Sequence, residues 1–326
     1  MIRPELLATV VIPTFNGERY LARLLEALRH QKVPGAYEVL IIDSGSTDDT
    51  LRIIAEFPEV RLHQIKNSEF GHGRTRNLAA QLASGEFVAY LTHDAVPASD
   101  TWLAELLSPF SVNPSVVAVM GKQVARPGCF PLMRYEISGV FSQFGPDFGT
   151  SLFYFGDTTF TEGQKNAIAF YSDVNSAVRR DFLLNKLPYR DVPYAEDQLF
   201  GRELTEAGYW KAYAPRAAVE HSNDVTLQEF ALRIFDETVG LRKIGTPIGP
   251  LSRRGQMKYT LLTTFADSIR IIRDPGYSTK RKLYWLAVNP LYHQKKWSGY
   301  RRASIVDIDD AVALQRFSLE HSRKHG

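Results

Sequence analysis

The first half of the chain alternates two hydrophobic periods. Residues 7–12 form a short β-branched run that predicts a buried strand. From Gly17 to Gln31 the apolar positions Tyr20, Leu21, Leu24, Leu25 and Leu28 fall at helical spacing. The alternation then repeats. Residues 37–42, 60–65 and 86–91 read as strands, while 47–57, with Ser46 as its N-cap, and 73–83 read as helices. Strands that are apolar on both faces and followed by helices predict a parallel sheet covered on both sides. Ligands of such sheets bind at the C-terminal strand ends. Those ends carry Thr14-Phe15-Asn16, Asp43-Ser44-Gly45, Asn67 and Thr92-His93-Asp94, which are mostly polar where the strands are not.

The second half reads differently. A strand is predicted over 116–120, followed by an aromatic region with Gly and Pro to about Phe160. Residues 167–178 predict a strand interrupted by polar positions, and 195–207 predict a helix with an acidic start. Two short edge strands are expected over 210–213 and 217–220. From Thr226 onward the pattern is helical and increasingly basic. The expected division is an α/β domain over 1–225 and a helical C-terminal region over 226–326.

Composition narrows the class. With 326 residues, 44% hydrophobic and 23% charged, the chain has the material for a sizeable core and no signature of disorder. The single cysteine, Cys129, excludes an internal disulfide framework and a Cys-rich zinc site, and it fits a reducing, cytoplasmic compartment. Residues 1–11 are too short and mixed for a signal peptide, and no apolar run approaches the ~18 residues that span a bilayer.

Charge is spread unevenly. Residues 251–302 hold twelve Lys or Arg against two Asp, a net +10, which leaves −7 for the rest of a chain whose total is +3. Within that segment Leu261, Leu262, Phe265, Ile269 and Ile272 form an apolar helical stripe, with Tyr284, Trp285, Tyr292 and Trp297 among the charges. Aromatics and lysines together suit the interfacial zone of an anionic membrane, so peripheral association with the inner face of the plasma membrane is expected. The same stripe suits a homodimer contact. No nucleic-acid-binding module accompanies the charge, so nucleic acid is not an expected partner.

Four constellations carry candidate chemistry, and each has a plainer alternative. Asp43 in "DSGSTDDT" either caps a turn or accepts a hydrogen bond from a nucleobase, with Gly45 allowing close approach. Arg76, downstream of Gly71 and Gly73, is either a solvated helix arginine or a bidentate clamp on a diphosphate. Asp94 offers a hard oxygen ligand for a divalent cation beside such phosphates, and His221 in "AVEHSND" is a candidate second ligand, though spacing alone does not link them. Asp191, Glu196 and Asp197 crowd a helix start, where carboxylates suit the helix dipole. Asp197 could instead be a general base for an acceptor hydroxyl.

Taken together, "VVIPTFNGERYLARLLEAL", "YEVLIIDSGSTDDT", "GHGRTRN", "SGEFVAYLTHDA", "VNSAVRR" and "AEDQLFGRELTEAG" resemble the inverting family 2 glycosyltransferases of GT-A fold. The match runs from about Thr9 to Ser222. The resemblance implies that Pro13, Thr14, Asn16 and Asp43, with Ser44 and Gly45, hold the nucleotide, and that Arg76 lies near it. It implies Asp94 as the last residue of the family's Asp-x-Asp metal motif, His221 as a second metal ligand, and Asp197 as catalytic base. Asn175, Arg179 and Glu196 are implied in the acceptor and sugar pocket. Thr92 and His93 stand where the motif's first two residues stand, on the donor side, so the ribose contact of the missing first carboxylate is lost.

The combination of "DSGSTD", "FGHGRTRN" and "LTHDAVP" is most similar to bacterial rhamnosyltransferases. These move L-rhamnose from dTDP-L-rhamnose onto lipid-linked or polysaccharide acceptors in cell-surface glycan synthesis, with Mn2+ or Mg2+. A UDP-sugar donor and a non-catalytic nucleotide-sugar-binding homologue remain as alternatives. A nucleotidyltransferase would want a Gly-rich basic loop where "PTFNGERY" stands, and a Rossmann dehydrogenase would want G-x-G-x-x-G after Ile12.

Overall fold

The structure, a computed structural model, describes residues 6–156 and 159–325. Residues 1–5, part of the expected catalytic domain, lie outside the described residues, as do Asp157, Thr158 and Gly326. The chain divides into two compact units, Met1–Arg126 with Ile137–Ser222, and Pro127–Glu136 with Asn223–Gly326.

The first unit opens with β1 (Leu6–Thr14), α1 (Glu18–Arg29), β2 (Ala36–Asp43), α2 (Thr50–Ala55), β3 (Arg61–Gln64), α3 (His72–Leu82) and β4 (Phe87–Leu91). It continues through β5 (Val96–Pro97), α4 (Trp102–Val112), β6 (Val116–Val124), the part of α5 (Pro131–Ser142) from Ile137 onward, β7 (Ser151–Phe153) and α6 (Glu162–Ala169). Last come β8 (Asn175–Arg179), α7 (Arg180–Asn185), α8 (Glu196–Glu206) and β9 (Trp210–Glu220). The nine strands form one sheet in the order β3-β2-β1-β4-β8-β6-β9-β5, with β7 also paired to β9. Pairing directions make β3, β2, β1, β4, β6 and β9 run one way, while β8, β5 and β7 run against them.

The continuous apolar strands have a simple cause. In β1, Ala8, Val10 and Ile12 enter one core while Val11 enters the other; in β4, Phe87, Ala89 and Leu91 face one and Val88 and Tyr90 the other. Successive side chains alternate faces, so a sheet covered on both sides needs apolar residues at every position. Leu21, Leu24, Leu25 and Leu28 of α1 are all buried on the first face. Each buried leucine contributes about 1.5–3 kcal/mol of transfer free energy.

Several predicted elements differ in the structure. The residues expected as an interrupted strand over 167–178 begin as the end of α6, break at Phe170, and become β8 only at Asn175. The two expected edge strands are one strand, β9, which lies inside the sheet and changes register between the pairs Gly121–Ala214 and Lys122–Ala218. Pro215 falls in that bulge, where a missing N–H costs no ladder bond. Ser46 does not cap α2. That helix starts only at Thr50, and the Ser46 hydroxyl is bound to Asp43 instead. Helix α4, with Trp102, Leu103, Leu106, Leu107 and Phe110 buried, has helical spacing that Pro109 obscures.

The second unit is helical, with α9 (Leu227–Lys243), α10 (Arg253–Arg273), α11 (Thr279–Ile305), α12 (Ala311–Phe317) and α13 (Leu319–His325). Phe235 and Val239 of α9 pack with Ala303 of α11. Arg242 donates to the carbonyls of Ala303 and Val306 at 2.6 and 2.8 Å, satisfying acceptors that the end of α11 would otherwise leave open. Among the described residues no helix is long and apolar enough to cross a membrane.

Candidate active site

The ends of β1, β2 and β3 lie side by side, with Thr14 opposite Asp43 and Asp43 opposite Gln64. The structure therefore brings Pro13, Thr14, Asn16, Asp43, Ser44 and Gly45 together. Asp43 is fully buried, and its carboxylate accepts from the backbone N–H groups of Gly45 and Ser46 at 3.0 and 3.1 Å and from the Ser46 hydroxyl. Gly45 has φ +89°, a conformation that a residue with a Cβ adopts only with strain. Asp43 thus holds the turn that forms the floor of the edge, and its oxygens are not turned outward. Ser44 donates from both its N–H and its hydroxyl to the Thr14 carbonyl. Asn16, exposed and at φ +48°, accepts from the Thr47 N–H at 2.9 Å.

The tip of β4 continues this edge. Thr92 donates its N–H to the Val174 carbonyl at 3.4 Å, and the Ala95 N–H returns to the Thr92 carbonyl at 3.0 Å, so the chain turns sharply at His93-Asp94. The His93 ring lies against Gly17. Because β9 ends beside β6 and β5, His221 arrives next to this turn, with its Nε2 3.4 Å from Asp94 Oδ2. The other ring nitrogen, Nδ1, lies 3.0 Å from Gln123 Oε1. An amide oxygen only accepts, so Nδ1 donates to Gln123, and that bond orients the ring with Nε2 toward Asp94. Burial pushes the Asp94 carboxyl up, but His221 and His93 outweigh it and hold it well below the usual carboxylate range. Arg126 joins these pieces: it donates to the carbonyls of Asp94 and Ser222, and its guanidinium stacks 3.8 Å over the Tyr20 ring.

A second cluster forms where β8 begins. Asp173 and Val174 lie next to Thr92, so this cluster shares the edge that carries Asp94. Arg76, on α3, is buried; its Nε is 3.0 Å from Asp173 Oδ2, and it donates to Glu196 Oε1. Asp173 also accepts from Ser176 Oγ at 2.6 Å and Tyr189 Oη at 2.8 Å, and its backbone N–H donates to Asp197 Oδ2 at 3.2 Å. Three carboxylates thus share one guanidinium. Burial pushes the Asp197 carboxyl up, Glu196 and Asp173 add like-charge repulsion, and the Arg76 charge offsets only part of this. The result is about 7. Unlike Asp173 and Glu196, Asp197 keeps part of its surface exposed. A carboxylate with raised proton affinity and an open side has the properties of a general base.

Local backbone aims it. Ala195, just before α8, sits at φ +63° without being glycine, a strained conformation costing on the order of 1–3 kcal/mol. That turn points Glu196 inward and leaves Asp197 at the rim. Helix α3 is brought close by Gly73, where an added Cβ would fall 2.1 Å from the Arg190 carbonyl oxygen.

Not every expected residue reaches the site as expected. Arg76 is not aimed at a phosphate; it is the counter-ion of the carboxylate cluster. Glu196 is consumed by that ion pair. Asn175 is buried, accepting from Trp102 Nε1 at 2.9 Å and donating to the carbonyls of Lys122 and Ala217, so it holds strands together and faces no acceptor. Arg179 lies at the far end of β8, opposite Phe87 at the start of β4, and bonds to the Val116 and Phe110 carbonyls. Conversely Asp173, Gln123 and Arg126 contact Arg76, His221 and Asp94 and had no motif to mark them. The one visible signal was the aspartate interrupting the apolar run "AFYSDVNSAV".

Asp94 and His221 fit a divalent cation as a partial set. One ionised carboxylate and one imidazole nitrogen, oriented by Gln123, leave room for phosphate oxygens and water to complete the shell, as Mg2+ and Mn2+ sites beside phosphates require. Among the described residues no group of three or more His, Cys, Asp or Glu could hold a metal ion, so a cation here would have these two donors from the chain.

The family model described as Glycosyl transferase family 2 matches residues 9–184. The chain is 29% identical over 234 residues to the O-antigen chain rhamnosyltransferase RfbN of Salmonella typhimurium, a match covering 71% of each chain. It is 31% identical over 242 residues to the O-antigen chain rhamnosyltransferase WbaN of Salmonella anatum, again covering 71% of each. Among solved structures, the mannosyltransferase PcManGT from Pyrobaculum calidifontis, in complex with GDP-Man and Mn2+, matches with a TM-score of 0.56 at 17% identity. That match covers 100% of this chain and 89% of the other, a likeness of fold.

Proposed function

The chain belongs to glycosyl transferase family 2, and on that premise we propose that it moves L-rhamnose from dTDP-L-rhamnose to a hydroxyl of a lipid-linked glycan, with inversion at the anomeric carbon. The observation that carries the reading is Asp197, a rim carboxylate raised to about 7 on the same sheet edge as the Asp94–His221 pair. The sugar is supported by the similarity to RfbN and WbaN, both named O-antigen chain rhamnosyltransferases. The setting is bacterial cell-surface glycan synthesis, on the cytoplasmic side, at the inner face of the plasma membrane.

In this mechanism Pro13, Thr14, Asn16, Asp43, Ser44 and Gly45, with Thr92 and His93, cradle the nucleotide at the strand ends. Asp197 takes the proton of the acceptor hydroxyl as its oxygen attacks the anomeric carbon. One C–O bond forms as the bond to the diphosphate breaks, and the electron pair leaves with dTDP. Arg76 lies between Asp173 and Glu196 beside the base and offsets part of their charge there. A divalent cation held by Asp94 and His221, when bound, supplies positive charge to the leaving diphosphate.

A thermal-shift panel of dTDP, UDP and GDP and their sugars, each with and without Mn2+, tests the reading. A ligand bound only by the folded state adds about 2.7 kcal/mol at a hundredfold excess over its Kd. Metal-dependent stabilisation by dTDP compounds above the others is expected. A preference for UDP or GDP compounds would remove rhamnose as the donor sugar, and no response to any nucleotide would remove the catalytic reading.

A further inference from the structure

Helix α10 turns its apolar side outward. Met257, Leu261, Leu262, Phe265 and Ile272 are between 54% and 69% exposed. At 100° per residue they fall within about 140° of the helix circumference. The opposite side holds the polar groups. Asp267 is buried, with its Oδ2 3.1 Å from His293 Nε2 and its Oδ1 3.1 Å from Arg270. His293 Nδ1 lies 2.8 Å from the Thr263 hydroxyl, which also accepts from Trp297 Nε1 at 3.0 Å. This network fixes the rotation of α10 about its axis. Turning the helix to hide the leucines would pull Asp267 from its partners, and a buried polar group stripped of partners is costly. The apolar face is therefore built to stay outside.

Basic residues share that face. Arg254 and Lys258 are exposed on the same arc and Arg273 just beyond its edge, and the start of α11 adds Lys280 and Arg281 beside exposed Leu283 and Tyr284. Of the aromatics expected to lie among these charges, Tyr292 instead stacks on Phe130 inside the helical unit and Trp297 on Tyr259. The outward surface is thus aliphatic and basic, with Phe265 and Tyr284 as its exposed aromatics.

We infer that this face of α10 docks on an anionic phospholipid surface, with the apolar side chains entering the acyl boundary and Arg254, Lys258 and Arg273 meeting lipid phosphates. Charge decides between occupants. A two-fold contact between copies would set this face against itself, within a segment that carries twelve Lys or Arg and two Asp. An anionic bilayer complements both the charge and the apolar arc. The inference rests on the proposed lipid-linked acceptor for its purpose, but its test needs neither donor nor acceptor, so the two can fail separately.

The test is flotation of the full chain with vesicles of phosphatidylcholine containing 30% phosphatidylglycerol, against phosphatidylcholine alone, at low and high salt. Binding is expected to anionic vesicles at low salt and to fall at least tenfold on neutral vesicles or in high salt. Leu261→Ser with Phe265→Ser should lose tenfold or more on anionic vesicles, and Arg254→Glu with Lys258→Glu should do the same. These residues are exposed, and both variants should keep the wild-type circular dichroism and melting temperature. Absence of wild-type binding, or undiminished binding of the serine variant, overturns the proposal. So does a wild-type dimer in sedimentation velocity that the serine variant converts to monomer, because the face would then bury a second copy.

Discussion

Replacing Arg76 with methionine should shift the acid limb of the kcat/KM profile to higher pH. Arg76 is buried between Asp173 and Glu196, and among the described residues it is the cation bound within the cluster that raises Asp197. Asp197 works as a base only when deprotonated, so activity should rise with pH through about 7 in the native chain. Removing the Arg76 charge withdraws coulombic support for the ionised form, on the order of 3 kcal/mol for a neighbouring unit charge at an effective dielectric of about 20. That is about two pH units, upward. The assay is dTDP release from dTDP-L-rhamnose between pH 5 and 10. Arg76→Met is expected to move the limb up by one to two units while dTDP affinity stays within about threefold. Arg76→Lys, which keeps the charge, should move it by less than half as much. Since breaking one side of a buried ion pair costs about 3–5 kcal/mol, the lysine variant also guards against a simple loss of folding. An unmoved limb together with a large loss of dTDP affinity would refute the reasoning and restore Arg76 as a phosphate clamp.

Three further outcomes follow from the same geometry. Asp197→Asn should stabilise the protein at pH 8 but not at pH 4. The carboxyl's folded value of about 7 lies above its ordinary 3.8, so ionisation carries a cost in the folded state that grows from about pH 4 to 7 and is complete above it. Discounted for solvent access, the gain is on the order of 1–2 kcal/mol, or roughly 3–6 °C in melting temperature, and equal melting at both pH values would count against it. His221→Ala should abolish the Mn2+-dependent part of dTDP stabilisation and leave the metal-free response; an unchanged Mn2+ response would exclude His221 as a ligand. Gly73→Ala should cost at least 2 kcal/mol by urea denaturation, because its Cβ would meet a backbone oxygen at 2.1 Å, and a change under 0.5 kcal/mol would contradict that packing.

The sheet was legible because two covered faces force apolar residues at every strand position, as in β1, β2 and β4. The polar strand ends were legible for the complementary reason. Strand β8 was misjudged because it enters against its neighbours after a break, and a mixed run such as "AIAFYSDVNSAV" does not announce where helix gives way to strand. Residue types and the resemblance marked Asp94, His221 and Asp197 as candidates, but they could not give pairings across the fold. Arg76 meets Glu196 from 120 positions away, and that contact makes an expected phosphate ligand the counter-ion of a carboxylate cluster. Arg179 shows the converse: it sits in a motif with Asn175, yet the direction of β8 carries it to the opposite end of the sheet.

The most direct measurement pairs donor binding with transfer in Asp197→Asn, using dTDP-L-rhamnose and a lipid-linked oligosaccharide acceptor. The account predicts dTDP affinity close to that of the native chain and a fall in transfer of about 10²–10⁴-fold, the range lost with a positioned general base. Transfer within tenfold of the native rate, with folding and dTDP binding intact, would contradict it.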